Sequence, residues 1–179
     1  MRWLALLLML ICAPAQARQD DPRLGELFDK LQSVSEPHGV KLLEAAIWAV
    51  WMQSGSDTID LLLRRGTQAM GEGDYATALQ LFTSIVELDP KFAEGWNKRA
   101  TLFYLMGALD RSSADVSKTL ALEPRHFGAL SGLGMIEMQR GREKEALDAF
   151  EKALKVNPHM DGIKSEAARL KKKIEGSRI

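Results

Sequence analysis

Apolar residues recur along this chain at two superposed spacings. Over short distances they fall three and four residues apart, the step of one helical face. Over longer distances the whole pattern returns every 34 residues. Large apolar residues stand at Leu62, Trp96 and Leu130, and four residues after each comes a small one: Gly66, Ala100 and Gly134. A second set keeps the same step, with Ala78, Ser112 and Ala146 followed four residues on by Phe82, Val116 and Phe150. Small positions facing large ones let two antiparallel helices interdigitate closely. The punctuation has the same register. Gly73, Gly107 and Gly141 predict the end of the first helix of each pair, where glycine turns left-handed at little cost. Pro90, Pro124 and Pro158 predict the end of the second, because proline lacks a backbone donor and disfavours helix in the residue before it.

Three helix pairs are therefore expected, over 57–90, 91–124 and 125–158. One such pair cannot bury its own apolar face, so the pairs must stack into a solenoid. Upstream, 18–56 keeps the phase at Phe28, Gly39 and Trp48 but places Gln32 and Glu44 where the small residues belong. That predicts an atypical, more openly packed helix pair at about 23–34 and 39–54. Downstream, in 159–179, Met160, Ile163, Ala167, Leu170 and Ile174 share one helical face, which predicts a capping helix over 160–175 followed by a basic tail.

These residues resemble the tetratricopeptide repeat. The third unit matches through Leu130, Leu133, Gly134, Gly141, Ala146, Phe150, Ala153 and Pro158. The second keeps Trp96, Phe103 and Pro124, and the first keeps Gly66, Ala78, Phe82 and Pro90. The resemblance implies an all-α, right-handed superhelical solenoid of stacked antiparallel helix hairpins. It also implies binding on a concave face lined by the first helix of each pair. On that face Arg64, Asn97, Lys98, Thr101, Tyr104 and Met135 are the expected partner-binding residues. The family's carboxylate clamp is not carried over: its five places read Leu63, Thr67, Lys98, Gly128 and Gly132. The function so implied is a non-enzymatic adaptor holding an extended protein segment. Self-assembly through 45–52, or a regulatory module acting on cell-wall components, are the alternatives. The resemblance also pairs Arg99 with Asp115 within one hairpin, a structural role, since a buried arginine needs a partner.

Composition narrows the picture. Lys and Arg number 24 and Asp and Glu 24, a net charge of zero, which removes any strong general pull toward nucleic acid or anionic membrane. The exception is the tail, with Lys164, Arg169, Lys171, Lys172, Lys173 and Arg178. At the start, Arg2, the apolar run Leu4–Ala13 and Ala15-Gln16-Ala17 have the form of an export signal cleaved after Ala17. A periplasmic location is the expectation, with a retained anchor as the other reading. The sole cysteine, Cys12, lies inside that signal. His38, His126 and His159 are scattered in turns or at helix starts. No metal, cofactor or catalytic residue is expected, because nothing resembles a phosphate loop, a serine elbow or a set of metal ligands. The segment Ala45–Met52, with Trp48 and Trp51, is read either as a core helix packed between neighbouring hairpins or as an exposed aromatic patch.

Overall fold

The protein is described by a computed structural model over residues 21–176; the expected signal, 1–17, and Arg178 lie outside the described residues. Nine helices follow one another among those residues: α1 (Arg23–Ser33), α2 (Pro37–Trp51), α3 (Asp57–Gly71), α4 (Tyr75–Leu88), α5 (Ala93–Leu105), α6 (Leu109–Leu122), α7 (Phe127–Gln139), α8 (Glu143–Val156) and α9 (Asp161–Gly176). No strand occurs among them. Helices α3–α4, α5–α6 and α7–α8 form the three expected hairpins, and α9 closes the stack against α8.

The small positions do what the pattern requires. A Cβ added at Gly66 would come within 2.6 Å of the Phe82 ring, and one at Gly134 would run into Phe150. In the middle hairpin the small residue is Ser112, whose hydroxyl donates to the Ala100 carbonyl at 2.8 Å, so a polar group is buried without being orphaned. Gly73, Gly107 and Gly141 have φ of +80°, +72° and +72°, the left-handed turn that ends each first helix. The turns into the next hairpin repeat as well. Side chains of Asp89, Glu123 and Asn157 accept from the N–H two residues on, at 3.0, 2.9 and 3.0 Å. Such local bonds stop a helix and aim the chain back.

Side chains from consecutive helices then merge into the core. Leu63, Phe82, Ile85, Phe92 and Leu102 join α3, α4 and α5; Ala100, Val116 and Ile136 join α5, α6 and α7; Phe150, Ala167 and Leu170 join α8 and α9. Arg99 meets Asp115 in a two-pronged pair, Nε to Oδ2 at 2.7 Å and Nη2 to Oδ1 at 3.0 Å. Arg65, which has Leu81 at the matching place, is exposed.

The upstream pair departs from the repeats in two ways. Gly39, in phase with the turn glycines, is the third residue of α2 and not a turn residue; Pro37 at the first helical position has already started the helix. The left-handed glycine of this region is Gly55, at φ +87°, between α2 and α3. The second departure concerns packing. Within segment 45–52, Ile47, Val50 and Trp51 are at most 4% exposed, while Ala45 and Ala49 face outward. Only Met52, at its end, packs against the α3–α4 core. The α1–α2 pair packs Leu24, Phe28, Leu31, Ile47 and Trp51 with Phe127, Val156 and Met160, far along the stack. The reason lies in the two odd residues. Gln32 Nε2 donates to the carbonyls of Lys155 and Val156 at 2.7 and 3.0 Å, and Glu44 Oε1 accepts from Asn157 Nδ2 at 2.7 Å. His159 Nε2 lies 2.8 Å from the Leu31 carbonyl, closing the same joint.

Candidate functional site

The first helices of the second and third hairpins, α5 and α7, run side by side and leave a shallow apolar cavity between them. Its volume is about 110 Å³, with Asn97, Thr101 and Tyr104 on one side and Gly128, Gly132 and Met135 on the other. Small-molecule sites usually occupy roughly 300–1,000 Å³, so this space suits one apolar side chain of a larger partner. Its polar atoms are mostly engaged within the protein. Thr101 Oγ1 donates to the Asn97 carbonyl at 3.0 Å, and the Tyr104 hydroxyl accepts from Gln139 Nε2 at 2.9 Å. Gly132 keeps the floor open: a Cβ there would meet nothing within 4 Å. Met135 stands at the rim, 37% exposed, a flexible side chain able to mould to an occupant.

Beside the cavity lies a buried polar group under the tryptophans of α2. Glu94 and His126 are fully buried, with Glu94 Oε2 3.0 Å from His126 Nε2 and 3.0 Å from Asn97 Nδ2. The other imidazole nitrogen, Nδ1, accepts the Ala129 N–H at 3.0 Å and so caps α7. That bond assigns the proton to Nε2, which donates to the carboxylate. Lys98 Nζ is 3.2 Å from Glu94 Oε1, yet Oε1 has no aligned hydrogen bond; the contact is one of charge rather than of geometry. Burial, the largest influence on Glu94, opposes ionisation, but His126 and Lys98 together outweigh it and hold the carboxyl below its ordinary value.

Trp51 stacks on His126, with centroids 4.2 Å apart and planes 9° from parallel. Trp48 meets Phe127 edge to face at 5.6 Å and lies 5.8 Å from Lys98 Nζ. A Cβ on Gly128 would approach the Trp48 ring to 2.9 Å. The expected concave face is thus divided. Asn97, Thr101, Tyr104 and Met135 line the open cavity. Lys98 stands between Glu94 and Trp48, and Arg64 is exposed on α3, away from the cavity lining. The Glu94–His126 pair was not legible in the sequence, because 32 residues separate its members and the third hairpin has Gly128 at the place matching Glu94. Among the described residues, no group of three or more His, Cys, Asp or Glu converges to hold a metal, and no helix is long and apolar enough to cross a membrane.

Comparison with known proteins gives the same architecture. Residues 63–112 and 128–160 match the tetratricopeptide repeat family. A TPR repeat-containing protein of Rhizobium etli is 35% identical over 156 residues, covering 87% of this chain and 76% of that protein. Among solved structures, the first TPR of Spaghetti (RPAP3) bound to the HSP90 peptide SRMEEVD superposes with a TM-score of 0.63. It is 19% identical and covers 65% of this chain and 93% of that one. The Yersinia enterocolitica type III secretion chaperone SycD, in complex with a peptide of the translocator YopD, also gives 0.63. There the identity is 18%, with 66% and 95% coverage.

Proposed function

This chain belongs to the tetratricopeptide repeat family, and from that premise we propose that it is a non-enzymatic adaptor receiving an extended segment of a partner protein across α5 and α7. The observation that carries the reading is the open, glycine-floored cavity shaped by Thr101, Tyr104, Gly132 and Met135. Glycine on the floor admits a partner backbone, and the cavity beneath takes one of its apolar side chains. Two similarly folded proteins whose structures hold bound peptides are consistent with this use of the scaffold. Fold alone does not assign function, so the weight rests on the cavity.

Arg64 and Lys98 belong to the same proposal in a secondary role. Arg64 is an exposed cation on α3 outside the cavity lining, while Lys98 already faces Glu94. The location we propose is the periplasm of a Gram-negative bacterium, after export and cleavage behind Ala17. Arg2, the apolar run and the small-x-small site support it.

A photo-crosslinker at Thr101 in living cells tests the groove, with Lys152 on α8 as the control; both positions are exposed. The expected result is a discrete partner captured from Thr101 and not from Lys152. Capture should be lost in a Gly132→Leu variant, whose side chain fills the cavity without meeting neighbours at its Cβ. Equal capture from both positions, or capture indifferent to Gly132→Leu, removes the groove as the binding site.

A further inference from the structure

Within that groove reading, we propose that α2 is a ligand held in cis. It covers the part of the concave face formed by Glu94, Asn97, Lys98 and Gly128. The same place accepts, in trans, a partner helix carrying two aromatic residues three positions apart. The α1–α2 pair is then a strap that a partner must displace to reach the full groove.

Four features support this. First, α2 meets α5 and α7 mainly through its side chains, whereas consecutive helices of the repeats approach closely backbone to backbone. Trp48 and Trp51, three residues apart on one face of α2, supply its ring contacts with His126 and Phe127, as aromatic anchors do when a helix enters a groove. Second, α1 and α2 share apolar residues with each other, among them Leu24, Phe28, Leu31 and Ile47, so they can leave as a unit. Third, the joint is unevenly satisfied. Trp51 Nε1 is buried without a hydrogen-bond partner, and a permanently closed interior rarely tolerates such an atom. Fourth, the strap has a hinge and a latch. The hinge is the short link 52–56, with Gly55 in the left-handed region. The latch is the set of polar contacts from Gln32 and Glu44 to residues 155–157, at the edge of the same apolar cluster that holds the tryptophans.

Burial of the tryptophans keeps the strap closed at rest. The tether gives α2 an effective concentration on the order of millimolar at its own seat, so only a partner helix able to outcompete that value enters. The chemistry of the occupant follows from the seat. Its aromatic rings stack on His126 and edge against Phe127, and a backbone or ring lies over Gly128.

The test uses the full chain and a fluorescein-labelled peptide of residues 37–54 as the probe, read by anisotropy. Three proteins are compared, all with Cys12→Ala. They are the otherwise unchanged chain, a latch variant with Gln32→Ala and Glu44→Ala, and a locked variant with Gln32→Cys and Lys155→Cys joined by a short bismaleimide. Gln32 and Lys155 are both exposed. We expect the peptide to bind the latch variant about tenfold more tightly than the unchanged chain, and the locked variant not at all. Equal binding to the locked and latch variants overturns the proposal, and so does no binding to the latch variant. Native-state amide exchange on the unsubstituted chain gives a second reading independent of any variant. The amides of α1 and α2 should exchange together and about tenfold or more faster than those of α5–α8; a common rate overturns the strap. Peptide binding as expected but without capture at Thr101 supports the cis seat and removes only the adaptor reading.

Discussion

Gly132 and Gly134 lie two residues apart on α7 and answer opposite demands. At Gly134 a methyl group would enter the Phe150 ring, so Gly134→Ala should destabilise the protein by about 1–3 kcal/mol despite its better helix propensity. At Gly132 a methyl group meets nothing, and Gly132→Ala should stabilise by about 0.5–1 kcal/mol. Urea unfolding of the two variants beside the parent checks both signs, and equal shifts would contradict the packing described. Glu94 carries the pH dependence expected of a buried acid with two partners. Its carboxyl is held below the ordinary value, so its contribution is complete above the unfolded-state value. The contribution fades as pH falls through the lowered folded-state one. Glu94→Gln should therefore be less stable than the parent at neutral pH, with the gap closing in acid. A gap constant across pH would mean that the carboxylate charge contributes nothing. The burial of Glu94 was not readable in the sequence, because Trp48 and Trp51, which pack on the Glu94–His126 pair, lie more than forty residues upstream of Glu94.

At the scale of the element, the hairpin is the unit that repeats, and its two helices are fixed by complementary side chains. Arg99 illustrates the point: its guanidinium lies between Asp115 and the rings of Trp96 and Phe103, 5.0 and 5.7 Å from their centroids. Asp115→Ala leaves that cation largely buried and unpaired, and should cost about 3 kcal/mol in chemical denaturation. Replacing both residues by apolar ones should recover much of the loss. If Asp115→Ala proves neutral, the pair is an ornament of the hairpin rather than its clamp. The three repeat hairpins were legible because every contact that defines them is local, spanning at most one repeat, and the 34-residue step displays each contact three times. The upstream α1–α2 pair breaks that logic at Gln32 and Glu44. Those departures were visible as wrong residues for close packing, but their partners at 155–157 were not.

For the whole molecule, the consequence of the α1–α2 pair is a partly closed groove and an internally used apolar segment. Segment 45–52 is not presented as a free aromatic patch, since Ile47, Val50 and Trp51 are buried within the same chain. Light scattering should accordingly give a single-chain mass that does not change with concentration. A mass rising with concentration would favour self-assembly through the other exposed apolar residues, such as Leu42 and Leu88. Periodicity in the sequence was enough to specify helix type, hairpin pairing and the glycine turns, because in a solenoid each unit contacts mainly its neighbours and local pattern carries most of the information. The resemblance to the repeat family placed Asn97, Thr101, Tyr104 and Met135 on one face. The division of that face into an open cavity and a covered seat depended on contacts between α2 and hairpins two and three units further along. Such pairings leave no period in the chain: they arise from side-chain fit between surfaces brought together only after the stack has formed.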